Sequence, residues 1–212
     1  MKLARNFTAQ NANLINGVKM IIRKMFKFEN AHIVRFCSSK RCKTSIHGHS
    51  YRAEILLESN FLDNAGMVYD FGLMKQGIGC IIDSFDHCTT IFSGDSAEYK
   101  NDLKKHSARW IEIPLNPSAE QFCRIFFVMI DRLLKTTQMQ NGEREVKLYS
   151  VIVHETDTGY AQCFRDDAYN AKMGEVNLNE IVFSEGVRAE WEDAELFEKI
   201  KLGKKIVNPK EV

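Results

Sequence analysis

Three histidines and two cysteines lie within a short stretch of the chain, between His32 and His49. His47 and His49 are two residues apart, so in a β-strand both side chains point to the same face, with Gly48 turned away. His32, on a neighbouring antiparallel strand, can bring a third imidazole to that face. Three imidazoles around one position leave a fourth coordination site open, which is typical of catalytic zinc. The spacing therefore predicts a zinc site formed by His32, His47 and His49.

The same stretch allows a different zinc site, of the closed Cys2His2 type, formed by Cys37, Cys42, His47 and His49. Such a site would make the protein a non-catalytic structural or binding module. Closed sites usually space their two histidines three to five residues apart, and this set leaves His32 without a ligand role. The three-histidine site is therefore favoured over the module.

Composition narrows the class of protein. The chain has 212 residues, enough for one domain with decorations. Its net charge is +1, from 29 basic and 28 acidic residues, which argues against nucleic acid or an anionic membrane as the main partner. No apolar run approaches the roughly 20 residues that span a bilayer, and the N-terminus lacks the apolar segment of a signal peptide. Six scattered cysteines form no secreted disulfide pattern, so we expect a cytoplasmic chain.

The predicted strands place the histidines on one surface. The segments "MIIRKMFKFENAHIV" (20–34) and "HGHSYRAEILLES" (47–59) alternate as strands do, and we expect them to pair antiparallel. The basic, serine-rich stretch 35–45 reads as the loop between them. A long strand is predicted over 144–157, with a hairpin partner over 159–165.

Helices are predicted between the two pairs of strands. Asp70 is expected to cap a first helix over 71–85. The glycines within this stretch lower its helix propensity. Ser118 and Gln121 predict a capping box that opens a second helix. Residues 91–117 read as irregular apart from a short strand at "RWIEIP", and a short helix is expected near "RAEWEDAELFEKI" in the polar tail. The order ββααββ predicts an α+β fold with an antiparallel sheet.

Several motifs in order resemble the 6-pyruvoyl-tetrahydropterin synthase and 6-carboxytetrahydropterin synthase family. His32 follows "FENA", and Cys42 precedes "HGHSY". The resemblance covers about residues 20–166 and leaves residues 1–19 and 167–212 as N-terminal and C-terminal extensions. The further motifs that carry it are "GMVYDFGLMK" (66–75), "FDH" (85–87), "PSAEQ" (117–121) and "VHETD" (153–157).

The resemblance implies a role for each motif. It implies zinc on the three histidines, Cys42 as the catalytic base, and Asp86 with His87 as a second catalytic proton-transfer unit. It also implies that Glu155 anchors the pterin ring of 7,8-dihydroneopterin triphosphate, helped by the motif that contains Ser118 and Glu120. From the residues alone, a helix C-cap is the favoured reading of His87, whereas Glu120 reads equally as a first-turn acid and as a substrate ligand. The basic residues that could meet the triphosphate, or simply be solvated, are Arg35, Lys40, Arg41 and Lys43.

The fold implied by the resemblance is the tunnelling fold, in which sheets from several subunits close into a barrel. We therefore expect a homo-oligomer, a hexamer built as a dimer of trimers, with pterin sites between subunits. The favoured function is that of a 6-carboxytetrahydropterin synthase, a lyase of queuosine biosynthesis that releases acetaldehyde and triphosphate. A 6-pyruvoyl-tetrahydropterin synthase is the alternative within the family. The stretch 91–113 is longer than usual for the family, which bears on loop contacts and product choice.

Overall fold

A long antiparallel hairpin carries the histidine-rich stretch. The computed structural model describes residues 19–212, so the predicted N-terminal extension lies outside the described residues except for Lys19. Strand β1 (Met20–His32) pairs with β2 (His47–Ser59) in a register that sets Met20 opposite Ser59 and His32 opposite His47. Side chains alternate along both strands, with Phe28 and Tyr51 buried on the inner face. The predicted antiparallel pairing is confirmed.

The hairpin lies at the centre of a mixed sheet. Within residues 19–212 this sheet has seven strands, in the order β7-β6-β2-β1-β3-β4-β8. The first four strands in this order, β7, β6, β2 and β1, pair antiparallel with their neighbours. Strand β3 runs parallel to β1, and β4 runs parallel to β3. A separate pair joins β5 to β9. The remaining strands are β3 (Cys88–Phe92), β4 (Trp110–Ile113), β5 (Thr137–Gln138), β6 (Lys147–His154), β7 (Tyr160–Cys163), β8 (Val182–Phe183) and β9 (Ile206–Val207).

The α+β class is confirmed, with a sheet that is mainly antiparallel. The short strand expected at "RWIEIP" is present as β4, whereas β3 was not predicted. The helices are α1 (Lys40–Thr44), α2 (Phe71–Lys75), α3 (Gly77–Asp83), α4 (Ala97–His106), α5 (Ala119–Thr136), α6 (Arg165–Ala168), α7 (Glu185–Arg188) and α8 (Leu196–Leu202). In the part of the chain that the structure describes, no helix is both long and apolar enough to cross a membrane.

Two helix predictions need correction. The expected first helix is capped by Asp70, as predicted, but it breaks at Gln76 into α2 and α3. Ser118 caps α5 by accepting from the Gln121 N–H at 3.4 Å. The reciprocal half of the predicted capping box is missing, because Oε1 of Gln121 accepts from Arg124 and the Ser118 N–H donates to the Asn116 carbonyl.

Helix α4 contradicts the prediction that residues 91–117 are mostly irregular. The helix has no buried residue, so it lacks the apolar stripe by which helices are recognised in sequence. Polar contacts attach it to the sheet instead. Lys100 and Lys104 donate to the two carboxylate oxygens of Glu112, on β4, at 2.8 and 2.7 Å.

The tail packs onto the same core as the sheet. Arg124, on α5, is buried, and its guanidinium donates to backbone carbonyls between Asp167 and Gly174. Phe183, on β8, packs against Phe85 and Phe197 with ring centroids 6.0 and 4.7 Å apart. The division at residue 166 stays a prediction, although the segment that follows is structurally part of the core.

An aromatic cluster between the sheet and α5 forms the floor beneath the histidines. The rings of Phe28 and Tyr51 stack at 4.9 Å, and Phe122 meets Tyr51 edge-on at 5.5 Å. The imidazole of His32 lies parallel to the Phe122 ring at 6.3 Å. Because the cluster is rigidly packed, it fixes the orientation of His32 before any ligand binds.

Candidate metal and substrate site

The three predicted histidines meet on the inner face of the hairpin. Register alone sets His32 opposite His47 and Asn30 opposite His49. The ring centroids lie 4.6 Å apart for His32 and His47, 5.3 Å for His32 and His49, and 5.2 Å for His47 and His49. One ring nitrogen from each residue lies within 4.8 Å of the other two. This is the convergence that a shared metal ion requires.

Hydrogen bonds leave one nitrogen of each ring facing the centre. A carbonyl can only accept, so Nδ1 of His32 must donate to the Pro117 carbonyl at 2.5 Å. Nδ1 of His47 donates in the same way to the Ser45 carbonyl at 3.0 Å. With Nδ1 engaged in this way, Nε2 is the ring nitrogen left available to a metal ion.

Burial disfavours the charged form of two of the three imidazoles, His32 and His49. His32 is fully buried, and this burial, with a smaller contribution from His47 and His49, lowers its pKa to about 4. Burial also lowers the pKa of His49, while the charge of Glu155 opposes the shift. Nε2 of His49 is buried without a hydrogen-bond partner among the described residues. An orphaned ring nitrogen costs free energy unless something binds it, so the three residues fit a zinc ion.

The Cys2His2 alternative is not formed. Among residues 19–212, the donor groups that converge are the three histidines, and neither cysteine belongs to this group. The Cys37 thiol donates to the Ser39 carbonyl at 3.3 Å within its own loop. Cys42 lies on α1, the single helical turn of that loop.

Glu155 lies at the same centre. Its Oε1 is 3.7 Å from Nε2 of His32 and 3.6 Å from Nε2 of His49. The Tyr51 hydroxyl donates to that oxygen at 3.3 Å. The pKa of Tyr51 is raised, first by burial and then by the negative charge of Glu155, so the phenol stays a donor. The carboxylate therefore faces the ligand nitrogens directly.

Tyr51 was not predicted as a site residue. The signal was present in the sequence, because Tyr51 follows His49 by two residues and must share its face of β2. Its hydroxyl also lies 3.4 and 3.5 Å from the two ring nitrogens of His32. Tyr51 thus links the carboxylate to the buried metal ligand.

Asp86 and His87 form a pair that is separate from the converging group of three histidines. Oδ2 of Asp86 is 2.7 Å from Nδ1 of His87, and Oδ1 accepts from the Glu29 N–H at 2.6 Å. His87 is 74% exposed and has a positive φ of 51°, an uncommon conformation that often marks functional positions. It borders a groove of about 320 Å³ with Glu29 and Ser50, which belong to the outward-facing set of β1 and β2. His49 lines the same groove, although neither Asp86 nor His87 belongs to the converging group of three histidines.

Comparison with known proteins identifies the family. A family model described as 6-pyruvoyl tetrahydropterin synthase matches residues 21–166. The chain belongs to the 6-pyruvoyl tetrahydropterin synthase family. It is therefore a lyase built on the family's tunnelling-type α+β fold.

Similar proteins share most of the chain. A 6-carboxy-5,6,7,8-tetrahydropterin synthase from Helicobacter pylori strain J99 is 40% identical over 182 residues, covering 85% of this chain and 91% of the relative. A protein of the same name from Aquifex aeolicus is 29% identical over 162 residues, covering 68% of this chain and 98% of the relative. The crystal structure of an uncharacterized protein from Wolinella succinogenes has a TM-score of 0.55 at 20% identity, covering 70% of this chain and 99% of that one. This last likeness concerns the fold alone.

Cys42, the residue that the family motif assigns as base, is held close to the end of β1. Its carbonyl accepts from the Val34 N–H at 3.1 Å, two residues after His32. The side chain is half-buried. Its catalytic role stays a prediction.

The other residues expected to bind the substrate are Ser118, Glu120 and the basic residues of the loop. Ser118 serves as the N-cap of α5, which is a structural role, and Glu120 is exposed in the first turn of that helix. Their substrate-binding roles stay predictions. Arg35 is engaged by protein groups and is therefore less available to a triphosphate. The basic side chains of the loop that remain exposed are Lys40, Arg41 and Lys43.

Proposed function

We propose that the protein is a zinc-dependent 6-carboxy-5,6,7,8-tetrahydropterin synthase that acts on 7,8-dihydroneopterin triphosphate in queuosine biosynthesis. The observation that carries the proposal is the convergence of three imidazoles, one with an orphaned Nε2, beside the Glu155 carboxylate. The products would be 6-carboxytetrahydropterin, acetaldehyde and triphosphate. The name and 40% identity of the Helicobacter pylori relative support this choice over the 6-pyruvoyl product.

The three histidines would hold the zinc, and the remaining residues would handle the substrate. Bound zinc supplies a Lewis acid that polarises the vicinal hydroxyls of the substrate side chain and so acidifies the adjacent C–H groups. Cys42, on the loop between the two strands that carry the histidines, would then act as the general base that removes a proton. Glu155, oriented by the Tyr51 hydroxyl, would bind either the pterin N–H groups or the polarised end of the substrate.

The exposed proton-transfer pair supports an oligomer. His87 is largely exposed, and neither it nor Asp86 belongs to the converging group of three histidines. We infer that Asp86 and His87 serve the site of a neighbouring subunit in a homo-oligomer, with the hexamer of two trimers as the favoured assembly. The short edge strand β7 would also be covered by such an assembly.

The location is part of the same proposal. All six cysteines are free thiols, which is typical of a reducing compartment. A cytoplasmic enzyme that acts on a small pterin and binds neither nucleic acid nor membrane agrees with the near-zero net charge.

One reaction tests the proposal. Purified protein, loaded with one zinc per subunit, is incubated with 7,8-dihydroneopterin triphosphate, and the pterin and acetaldehyde are identified by mass spectrometry. The proposal expects both 6-carboxytetrahydropterin and acetaldehyde. Two variants form a matched pair. His32→Ala, in the site, should abolish turnover, and His106→Ala, on the exposed surface of α4, should retain it. A 6-pyruvoyl product would reassign the enzyme within the family, and intact substrate with full zinc would refute the proposal.

A further inference from the structure

The unpredicted helix α4 is connected to the loop that carries Cys42. This cysteine loop comprises residues 33–46, between β1 and β2. Nε of Arg35 donates to Oδ1 of Asp95 at 2.6 Å, and the Asp95 side chain is only 8% exposed. The guanidinium also lies over the Tyr99 ring, 4.9 Å from its centroid. A carboxylate and an aromatic face from one segment thus hold a single arginine.

The main chain of Arg35 is held as firmly as its side chain. Its N–H donates to Oδ1 of Asn116 at 2.8 Å, and the Asn116 amide donates back to the Arg35 carbonyl. The adjacent residue, Pro117, supplies the carbonyl that binds His32. The segment that orients a metal ligand therefore also fixes the start of the cysteine loop.

The guanidinium reaches across the loop to the helical turn that bears Cys42. Its NH1 group lies 3.4 Å from the Lys43 carbonyl, on α1, so the contact at this end is weak. The other end is anchored to the sheet, since Lys100 and Lys104 of α4 bind Glu112 on β4. A continuous set of contacts therefore runs from β4 through α4 to the turn that carries the predicted base.

We propose that Arg35 is a positioning residue, held by Asp95, Tyr99 and Asn116, that fixes the cysteine loop relative to the three histidines. The inference rests on the proposed function in assigning Cys42 as the base. None of the four residues of this Arg35 cluster belongs to the converging metal-ligand group. Loss of the cluster should therefore lower kcat while leaving zinc content and KM nearly unchanged. A displacement of the base by about 1 Å can cost on the order of 10²-fold in turnover.

The test uses Asp95→Asn, which keeps the shape of the side chain and removes its charge. Trypsin cleaves after Lys40, Arg41 and Lys43, so loop opening can be followed by mass spectrometry without any substrate. Zinc-loaded Asp95→Asn should be cut in the loop about 5–30-fold faster than wild type, the change expected for losing 1–2 kcal/mol from a local opening equilibrium. Its kcat should fall about 10-fold or more, with KM within about twofold.

Three further variants make the result specific. Asp102→Asn removes a charge of the same helix that pairs with Lys105 in solvent, and it should match wild type in both assays. Asp95→Glu restores the carboxylate and should recover part of the loop protection. Tyr99→Leu removes only the aromatic face and should give a smaller change in the same direction, which keeps the test valid if Asp95→Asn folds poorly.

Two outcomes overturn the inference. The first is unchanged loop cleavage and kcat in Asp95→Asn. The second is an Arg35→Gln variant that raises KM without lowering kcat, because it would make Arg35 a contact for the triphosphate instead. If wild type fails to convert 7,8-dihydroneopterin triphosphate while Asp95→Asn still accelerates cleavage, the proposed function falls and the attachment of the loop by Arg35 stands.

Discussion

Replacement of Glu155 by Gln separates two possible roles of this carboxylate. The family motif implies that Glu155 anchors the pterin, whereas its Oε1 lies 3.6 and 3.7 Å from two of the nitrogens that would bind zinc. Gln keeps the shape but loses the negative charge and gains an N–H2 group that can face those nitrogens. We expect Glu155→Gln to weaken zinc as well as pterin binding.

The magnitude follows from the contacts and exposure of the carboxylate. Groups that lie next to metal ligands typically contribute about 10–100-fold to metal affinity, or about 1.4–2.8 kcal/mol. Glu155 is 34% exposed, so solvent screens its charge and the lower half of that range is expected. A pterin anchor alone would instead leave the zinc affinity unchanged and cost about 2–4 kcal/mol in pterin binding.

The assay is a competition for zinc with a chromogenic chelator, followed by neopterin titration of the fully loaded protein. Asp157→Asn is the matched control, because Asp157 lies two residues further on, is 91% exposed and pairs with Arg52. It should bind both ligands as wild type does. A folded Glu155→Gln variant with wild-type affinity for both zinc and neopterin would refute a role for Glu155 in the site.

Three other predictions concern the three histidines and the cysteine loop. His32→Ala and His47→Ala should each remove the zinc measured by atomic absorption, whereas Cys37→Ala should keep it; full zinc in His32→Ala would contradict the site. Cys42→Ala should retain zinc and lose about 10²–10⁴ in turnover, with Cys37→Ala within a few-fold of wild type, and the reverse result would assign the base to Cys37. Because burial lowers the pKa of His32 to about 4 from its ordinary 6.5, the unfolded chain binds a proton that the folded chain excludes. Zinc-free protein should therefore lose about 3 kcal/mol of unfolding free energy as the pH falls from 6.5 to 4, and urea titrations of His32→Gln should lack this loss.

The sequence predicted the elements whose signals lie within a few neighbouring residues. The alternation of "HGHSYRAEILLES" predicted β2, and Ser118 and Asp70 were recognised as N-caps because capping involves residues only two or three apart. Helix α4 was missed for the opposite reason. It is stabilised by Glu112, on the strand that follows it, and by Arg35, which is distant in sequence, and it has no apolar stripe of its own.

The sequence determined which residues form the candidate metal site, because a strand must place His47 and His49 on one face and an antiparallel partner strand can bring His32 to it. The tertiary structure alone decided where the other functional groups lie. It brought Glu155 and Tyr51 to the histidines and left the Asp86–His87 pair outside the converging group. It also linked α4 to the cysteine loop. Pairing of distant strands fixes these positions through register and sheet order, and neither quantity is encoded in any single stretch of the chain.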